Sequence, residues 1–187
     1  MNEITYWRVP EGETRIAILR GYRRVAFHYM MPGYSAMMCP AESDVETPRP
    51  CAICAEWRQL KQCRHELAFE LKPFVRYLFP IVDPVEPEKV QVWSCFARLA
   101  TKIISRHDHI ISRDGYGLET RYEILPLNDR QEELELLEQP DLDAIPVASA
   151  RDIGLALTAW RLEQATALGT TEAMDESAMI HMAEVGA

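Results

Sequence analysis

The stretch "HYMMPGYSAMMCPAESDVETPRPCAIC", His28 to Cys54, gathers three of the chain's five cysteines and one of its five histidines into a single proline-broken segment. Pro32, Gly33, Pro40, Pro48 and Pro50 deny it regular structure, because proline removes a backbone donor and both residue types punctuate turns. A hydrophobic core has no need of thiols and an imidazole in such a segment. A metal ion does. Cys51-x2-Cys54 can turn two thiolates onto one ion, and Cys39 and His28 complete H-x10-C-x11-C-x2-C, a tetrahedral donor set for Zn²⁺. A long loop with no core of its own is fixed by such a cluster at little cost in residues. Cys63, or His65 beside it, is the alternative to His28 as fourth ligand; His28 is preferred because it ends a strand leading into the loop. Cys63 otherwise reads as a packed thiol on a helix, and Cys95 as core. Four protein ligands leave no open position, so the expected ion is structural.

Outward from this segment the patterning is mostly that of strands. "TRIAIL" and "RVAFHYM" are β-rich runs separated by "RGYR", which reads as a hairpin turn around Gly21. After Cys54, "AEWRQLKQCRHEL" predicts a short helix. "KPFVRYLFPIV" and "KVQVWSC" predict two strands joined by the proline-rich "VDPVEPE". "FARLATKIISR" places Phe96, Leu99, Ala100, Ile103 and Ile104 at helical spacing. "LETRYEIL" alternates as a strand, with Gly115 and Gly117 before it suited to a tight turn. Five strands, one helix before the last hairpin and no βαβ rhythm predict a mainly β chain with helices: an OB-fold, the five-stranded Greek-key barrel, with an inserted zinc-binding loop at about 28–65. That core is expected over residues 1–127. Residues 128–187 are expected to form an acidic linker, a helix at about 149–168 announced by Ser149 and Asp152, and a mobile tail.

Charge divides the chain at the same place. Residues 1–125 carry 17 Lys+Arg and 16 Asp+Glu, a net of +1, and residues 126–187 carry 3 and 13, a net of −10, giving −9 for the 187 residues. The near-neutral part keeps a nucleic-acid function open that the total alone would discourage. The N-terminus has neither a basic start nor an apolar run, and no stretch approaches the roughly 18 apolar residues of a membrane span. The expected location is the cytoplasm, where an odd number of thiols favours metal binding or burial over disulfides. No phosphate-binding loop or nucleophile–base motif argues for an enzyme. "RHDH", Arg106 to His109, reads as a helix end running into a turn, since adjacent side chains diverge.

Single strands of nucleic acid are held by aromatic rings interleaved with cations: bases stack on the rings and phosphates need Lys or Arg nearby. Alternation in "KVQVW" places Trp93 on a face with Lys89 and Gln91. Phe74 and Arg76 share a face, Arg98 and Lys102 form a helical stripe with Arg106, and Tyr22, Arg23 and Arg24 cluster at the first turn. These eight residues, Tyr22, Arg23, Arg24, Phe74, Arg76, Trp93, Arg98 and Lys102, are the expected nucleic-acid contacts. Tyr122, Val75, Phe79 and Phe96 are assigned to the core.

In order along the chain, "VAFHYM", Cys39-Pro40, "CAIC", "FVRYLFPIVDP", "KVQVWSC" before a helix, "DGYGLETRYEILP" and "PDLDAI" resemble the zinc-bearing single-stranded-DNA-binding (helix-destabilising) proteins of T-even-like and other tailed phages. The similarity runs from about Thr14 to Ile145. It implies an OB-fold with a structural zinc held by His28, Cys39, Cys51 and Cys54, a cleft for single-stranded DNA, and a role in replication, recombination or repair of a viral genome in the host cytoplasm. It also implies replication or recombination partners for the acidic C-terminal region. Two features depart from that pattern. "MNEITYWRVPEGE" lacks the basic arm of the founding members, and the acidity is heaviest at Asp129–Asp143, ahead of a helix with Trp160. A protein–protein adaptor without DNA affinity is the competing expectation.

Overall fold

β-branched and aromatic runs bounded by glycine and proline become strands, and the computed structural model describes this for residues 4–29, 31, 33, 36–115, 119–127 and 137–167. Among these the elements are, in chain order, β1 (Tyr6–Trp7), β2 (Gly12–Ile18), β3 (Arg23–His28), β4 (Met37–Met38), α1 (Ala52–Gln62), α2 (Ala68–Leu71), β5 (Phe74–Val82), β6 (Val90–Phe96), α3 (Ala97–Ala100), β7 (Asp108–Asp114), β8 (Arg121–Pro126) and α4 (Ala150–Ala167), with a 3-10 turn at Leu142–Ala144 before α4. The chain is mainly β with a few helices. It divides into two compact units, one of Met1–Arg24 and Val75–Ile145, the other of Val25–Phe74 and Pro146–Ala187. That partition differs from a cut after residue 127: α4 belongs with the cysteine segment.

The first unit is built on a sheet in the order β1-β6-β5-β2-β7-β8. β1 runs parallel to β6, with Tyr6 opposite Val92 and Trp7 opposite Trp93. The other ladders are antiparallel, including Arg76 opposite Phe96, Phe79 opposite Trp93 and Arg15 opposite Ile110. One face of this sheet carries Trp7, Ile16, Ile18, Phe79, Ile81, Trp93, Cys95, Ile111 and Ile124 into a core that Leu99 also enters. Burying each large apolar side chain stabilises by roughly 1.5–3 kcal/mol. β2 has β5 and β7 as its two neighbours, so the turn at Gly21 hands the chain on rather than closing a hairpin. Gly115 follows β7 at φ +83°, a conformation that L side chains rarely adopt, and a Cβ there would crowd the Glu119 carbonyl oxygen at 3.0 Å. Among the described residues no pairing joins β1 to β8, so the sheet stays open where a five-stranded barrel would close.

Two expectations are corrected here. β7 was not foreseen, because "DHIISRD" is bracketed by charges; its Asp108 and His109 are nonetheless buried. α3 ends at Ala100, and residues 101–107 are turns and irregular backbone in place of a continued helix. Gly117 and Leu118, the linker at 128–136 and the tail from Leu168 onward lie outside the described residues.

The second unit has its own core: Ala26, Met31, Met37, Cys39, Cys51, Ile53, Cys54 and Leu71, joined by Ile153, Ala156, Leu157 and Trp160 of α4. α4 starts where Ser149 caps it. The Asp152 amide donates to Ser149 Oγ at 3.1 Å, and Ser149 Oγ–H donates to the Asp152 carboxylate at 2.6 Å. Trp160 Nε1 and Gln164 Nε2 donate to the Glu70 carboxylate at 2.7 and 3.1 Å, tying α4 to α2. No helix among the described residues is long and apolar enough to cross a membrane.

Candidate metal centre and nucleic-acid interface

His28 and Cys39 are brought together by strand register. β3 and β4 pair antiparallel with His28 opposite Met37 and Phe27 opposite Met38, and the Cys39 amide continues the ladder to the Ala26 carbonyl at 2.8 Å. Side chains two apart on paired strands share a face, so His28 and Cys39 lie diagonally across the same side. The other two ligands come from the start of α1. Cys51 is its N-cap and Cys54 lies one turn in, a spacing that sets both side chains over the same end of the helix. The helix N-terminus also favours negative charge, which suits thiolates. Ser43 secures the loop between, accepting from the Ala26 amide at 2.9 Å, while Arg58 of α1 pairs with Glu42 at 2.6 Å.

The ligand atoms of His28, Cys39, Cys51 and Cys54 all lie within 4.8 Å of one another, and all four residues are buried. Cys39 Sγ is 3.5 Å from Cys54 Sγ, and His28 Nε2 is 3.5 Å from Cys51 Sγ and 3.6 Å from Cys54 Sγ. A tetrahedron with metal–sulfur bonds of about 2.3 Å has edges of about 3.5–3.8 Å, so the set fits a single small ion. The far side of the imidazole agrees. His28 Nδ1 is 3.2 Å from the Leu71 carbonyl oxygen, which can only accept; Nδ1 therefore carries the proton and Nε2 faces the thiols. These four residues can hold a metal ion.

The electrostatics of the metal-free cluster show how much charge it gathers. Burial opposes a charged imidazole, but hydrogen bonds and charge from Cys39 and Cys51 outweigh it and push His28 up to about 9. Cys39 is driven far down by hydrogen bonding with Cys51 and Cys54, while Cys54 is driven up by hydrogen bonding with Cys39 and Cys51 and by burial. The neighbouring groups thus favour a charged imidazole, ease ionisation of one thiol and oppose it at another. Cys63 is exposed at the end of α1, and His65 instead accepts from the Leu67 amide at 3.2 Å. Cys95 is buried in the first unit, its thiol pushed up to about 12 by burial against a smaller opposing effect from Arg76.

The expected nucleic-acid contacts divide. Trp93 is 3% exposed and meets Trp7 edge-on, ring centroids 6.0 Å apart. The face of β6 read as polar is the one that enters the core: Gln91 is buried too, its amide donating to Glu86 at 2.7 Å. Both faces of "KVQVWSC" carry apolar residues, so alternation alone did not say which points inward. Arg23 is 4% exposed, its guanidinium donating to the carbonyls of Leu142 and Ile145 at 2.6 and 2.9 Å with Asp143 3.6 Å away. It clamps the 3-10 turn. Neither Trp93 nor Arg23, as placed, offers a surface to a ligand.

Tyr22 is 58% exposed and leans on Tyr77 and Phe79, each ring centroid 5.6 Å away. Arg98 and Lys102 are exposed, and Arg24 and Arg76 are half-buried. Phe74, in the second unit, is half-buried against Tyr29, which in turn meets Phe27. Inverting the β6 faces turns Phe96 outward. Assigned to the core from its spacing, it is exposed, with the Arg76 guanidinium carbon 3.4 Å from its ring centroid. The signal that could have found it is register: placing Trp93 inside forces Phe96 to the outer face.

"RHDH" forms no metal cluster. His109 is fully buried, its Nδ1–H donating to the His107 carbonyl at 2.9 Å and its Nε2 accepting from the Ile104 amide at 3.1 Å, and burial lowers its pKa. Asp108 pairs with Arg15 across β2 and β7. His109 holds the turn that precedes β7, and Asp108 ties β7 to β2. No protein-family model matches the chain, and no curated protein matches it.

Proposed function

We propose that this chain is a non-enzymatic single-stranded-DNA-binding protein in which a structural zinc ion orders the second unit. Three thiolates and one imidazole at tetrahedral spacing suit Zn²⁺ above harder ions, and four protein ligands with every partner buried leave no position for a reacting water. His28, Cys39, Cys51 and Cys54 would hold the ion, and the Leu71 carbonyl would orient the imidazole.

The DNA reading rests on one observation above the others: a guanidinium stacked on an exposed phenyl ring, Arg76 on Phe96, in the same unit as exposed Arg98 and Lys102. Rings and cations in one unit meet the two needs of a single strand, stacking and counterion release. An OB-type arrangement of the first unit, open at the β1 and β8 edges, is the fold that goes with this reading. The expected role is in replication, recombination or repair of a phage genome in the host cytoplasm.

The test is paired on one purified sample. Bound zinc is measured by mass spectrometry, and binding of fluorescent oligo-dT and oligo-rU by anisotropy across a salt series. The expected result is about one zinc per chain and oligo-dT binding that falls as salt rises. A metal-free folded protein ends the zinc reading; no oligo-dT binding in dilute buffer ends the DNA reading. Tighter oligo-rU binding would move the ligand to RNA.

One observation favours an adaptor instead. Leu155 and Leu162 lie seven residues apart on one side of α4 and are both exposed, as is Phe69 of α2. If oligonucleotides fail and this surface captures a protein partner, the adaptor reading replaces the first.

A further inference from the structure

We infer that Phe96, rather than Trp93, is the residue on which an unpaired nucleobase stacks; the inference rests on the single-stranded-DNA reading above. Phe96 ends β6 directly opposite Arg76, and the residue after it opens α3. Its neighbours along the chain explain why its ring is available. Cys95 and Leu99 take the inward positions, leaving Phe96 39% exposed although it is a large apolar side chain. The Arg76 guanidinium carbon lies over the ring, 3.4 Å from its centroid, so an exposed aromatic ring and a positive charge stand together at one place.

Such a pair has two uses for a single strand. A base gains dispersion and quadrupole attraction from a phenyl or guanidinium plane, whichever of the two it covers. The positive charge meets the phosphate attached to that base without any reading of its edges, so the contact tolerates every sequence. Arg98, two residues on, and Lys102, in the turn after α3, carry further exposed positive charge along the same segment. A core phenylalanine would be enclosed by apolar side chains. Phe96 is instead half covered by a cation, which a purely structural role does not require.

The test compares oligo-dT with an oligomer of equal length in which the bases are removed and the phosphates kept. The protein is the full metal-loaded chain. Wild type is expected to bind oligo-dT more tightly than the abasic strand. Phe96→Leu should weaken oligo-dT binding about tenfold, leave abasic binding unchanged and so erase the preference, while Phe96→Tyr keeps it. If Phe96→Leu retains the preference in full, or weakens both strands equally together with the melting temperature, the inference is overturned and Phe96 is structural. If wild type binds neither strand, it is the DNA reading itself that falls, and the wild-type arm reports that separately.

Discussion

His28 uses its two ring nitrogens for different purposes. Nδ1 donates to the Leu71 carbonyl, and Nε2 is thereby turned to the three thiols. Removing one ligand breaks a set that works as a unit. Cys54→Ser is expected to lose stoichiometric metal and most of the order of the second unit, since structural zinc sites contribute on the order of 10 kcal/mol of folding free energy. Elemental analysis and circular dichroism on the same sample check this; retained metal would put the ion elsewhere. The protonation pattern carries a sign. In the metal-free fold His28 keeps its proton up to about 9 and the Cys54 thiol is held protonated, and both protons must leave for an ion to bind. Metal affinity should therefore rise with pH toward about 9 and weaken on acidification, and adding Zn²⁺ to the chelated protein in weak buffer should acidify the solution. Thiol labelling offers a further check. Cys63 is exposed, Cys95 is buried with its thiol pushed up to about 12, and the other three sit with His28 in the buried group that could hold a metal ion. A thiol reagent should modify Cys63 at once and Cys95 last, with Cys39, Cys51 and Cys54 opening only after chelation.

Among the elements, α4 shows most clearly how a local signal and a tertiary contact combine. Its start was readable from Ser149 and Asp152, because a hydroxyl at that spacing accepts from an amide at the helix N-terminus while donating to the carboxylate. Ser149→Ala should cost about 1 kcal/mol, visible as a small drop in melting temperature. What α4 packs against was not readable. Ile153, Ala156, Leu157 and Trp160 enter the same core as Cys51 and Cys54, and Trp160 also donates to Glu70. Trp160→Ala is expected to destabilise the unit by about 3–5 kcal/mol, through the cavity and the carboxylate it leaves behind. A change under 1 kcal/mol in chemical denaturation would mean that α4 is only loosely attached. β6 illustrates the opposite case. Its existence follows from β-branched residues, but which face is inside depended on Trp7 arriving from β1 to meet Trp93.

For the whole molecule, the two units have separate cores, and among the described residues the candidate ligands Cys39, Cys51 and Cys54 belong to the core of the second. Chelation should therefore remove much of the helical circular dichroism, which resides largely in α1 and α4, before the β-sheet signal is lost. A single concerted transition would contradict that separation. The same division changes how the acidic region must be tested. Deleting residues 126–187 would strip α4 from one core and the carbonyls that Arg23 clamps from the other unit, so altered DNA binding by that truncation would report damage as readily as released competition. Salt dependence of the intact chain is the cleaner measure of the charge split.

The candidate metal site was legible in one dimension because it is carried by residue types that have few other reasons to gather: His28, Cys39, Cys51 and Cys54 stand close enough along the chain for their spacing to speak. So were most strands, through β-branching, and the start of α4, through its cap. The unit to which α4 belongs, the burial of Arg23 and Trp93, the strand at Asp108–Asp114 and the outward turn of Phe96 were not. Each depends on a partner far off in sequence, and a side chain's exposure is set by what lies across from it in space, which no periodicity along one segment records.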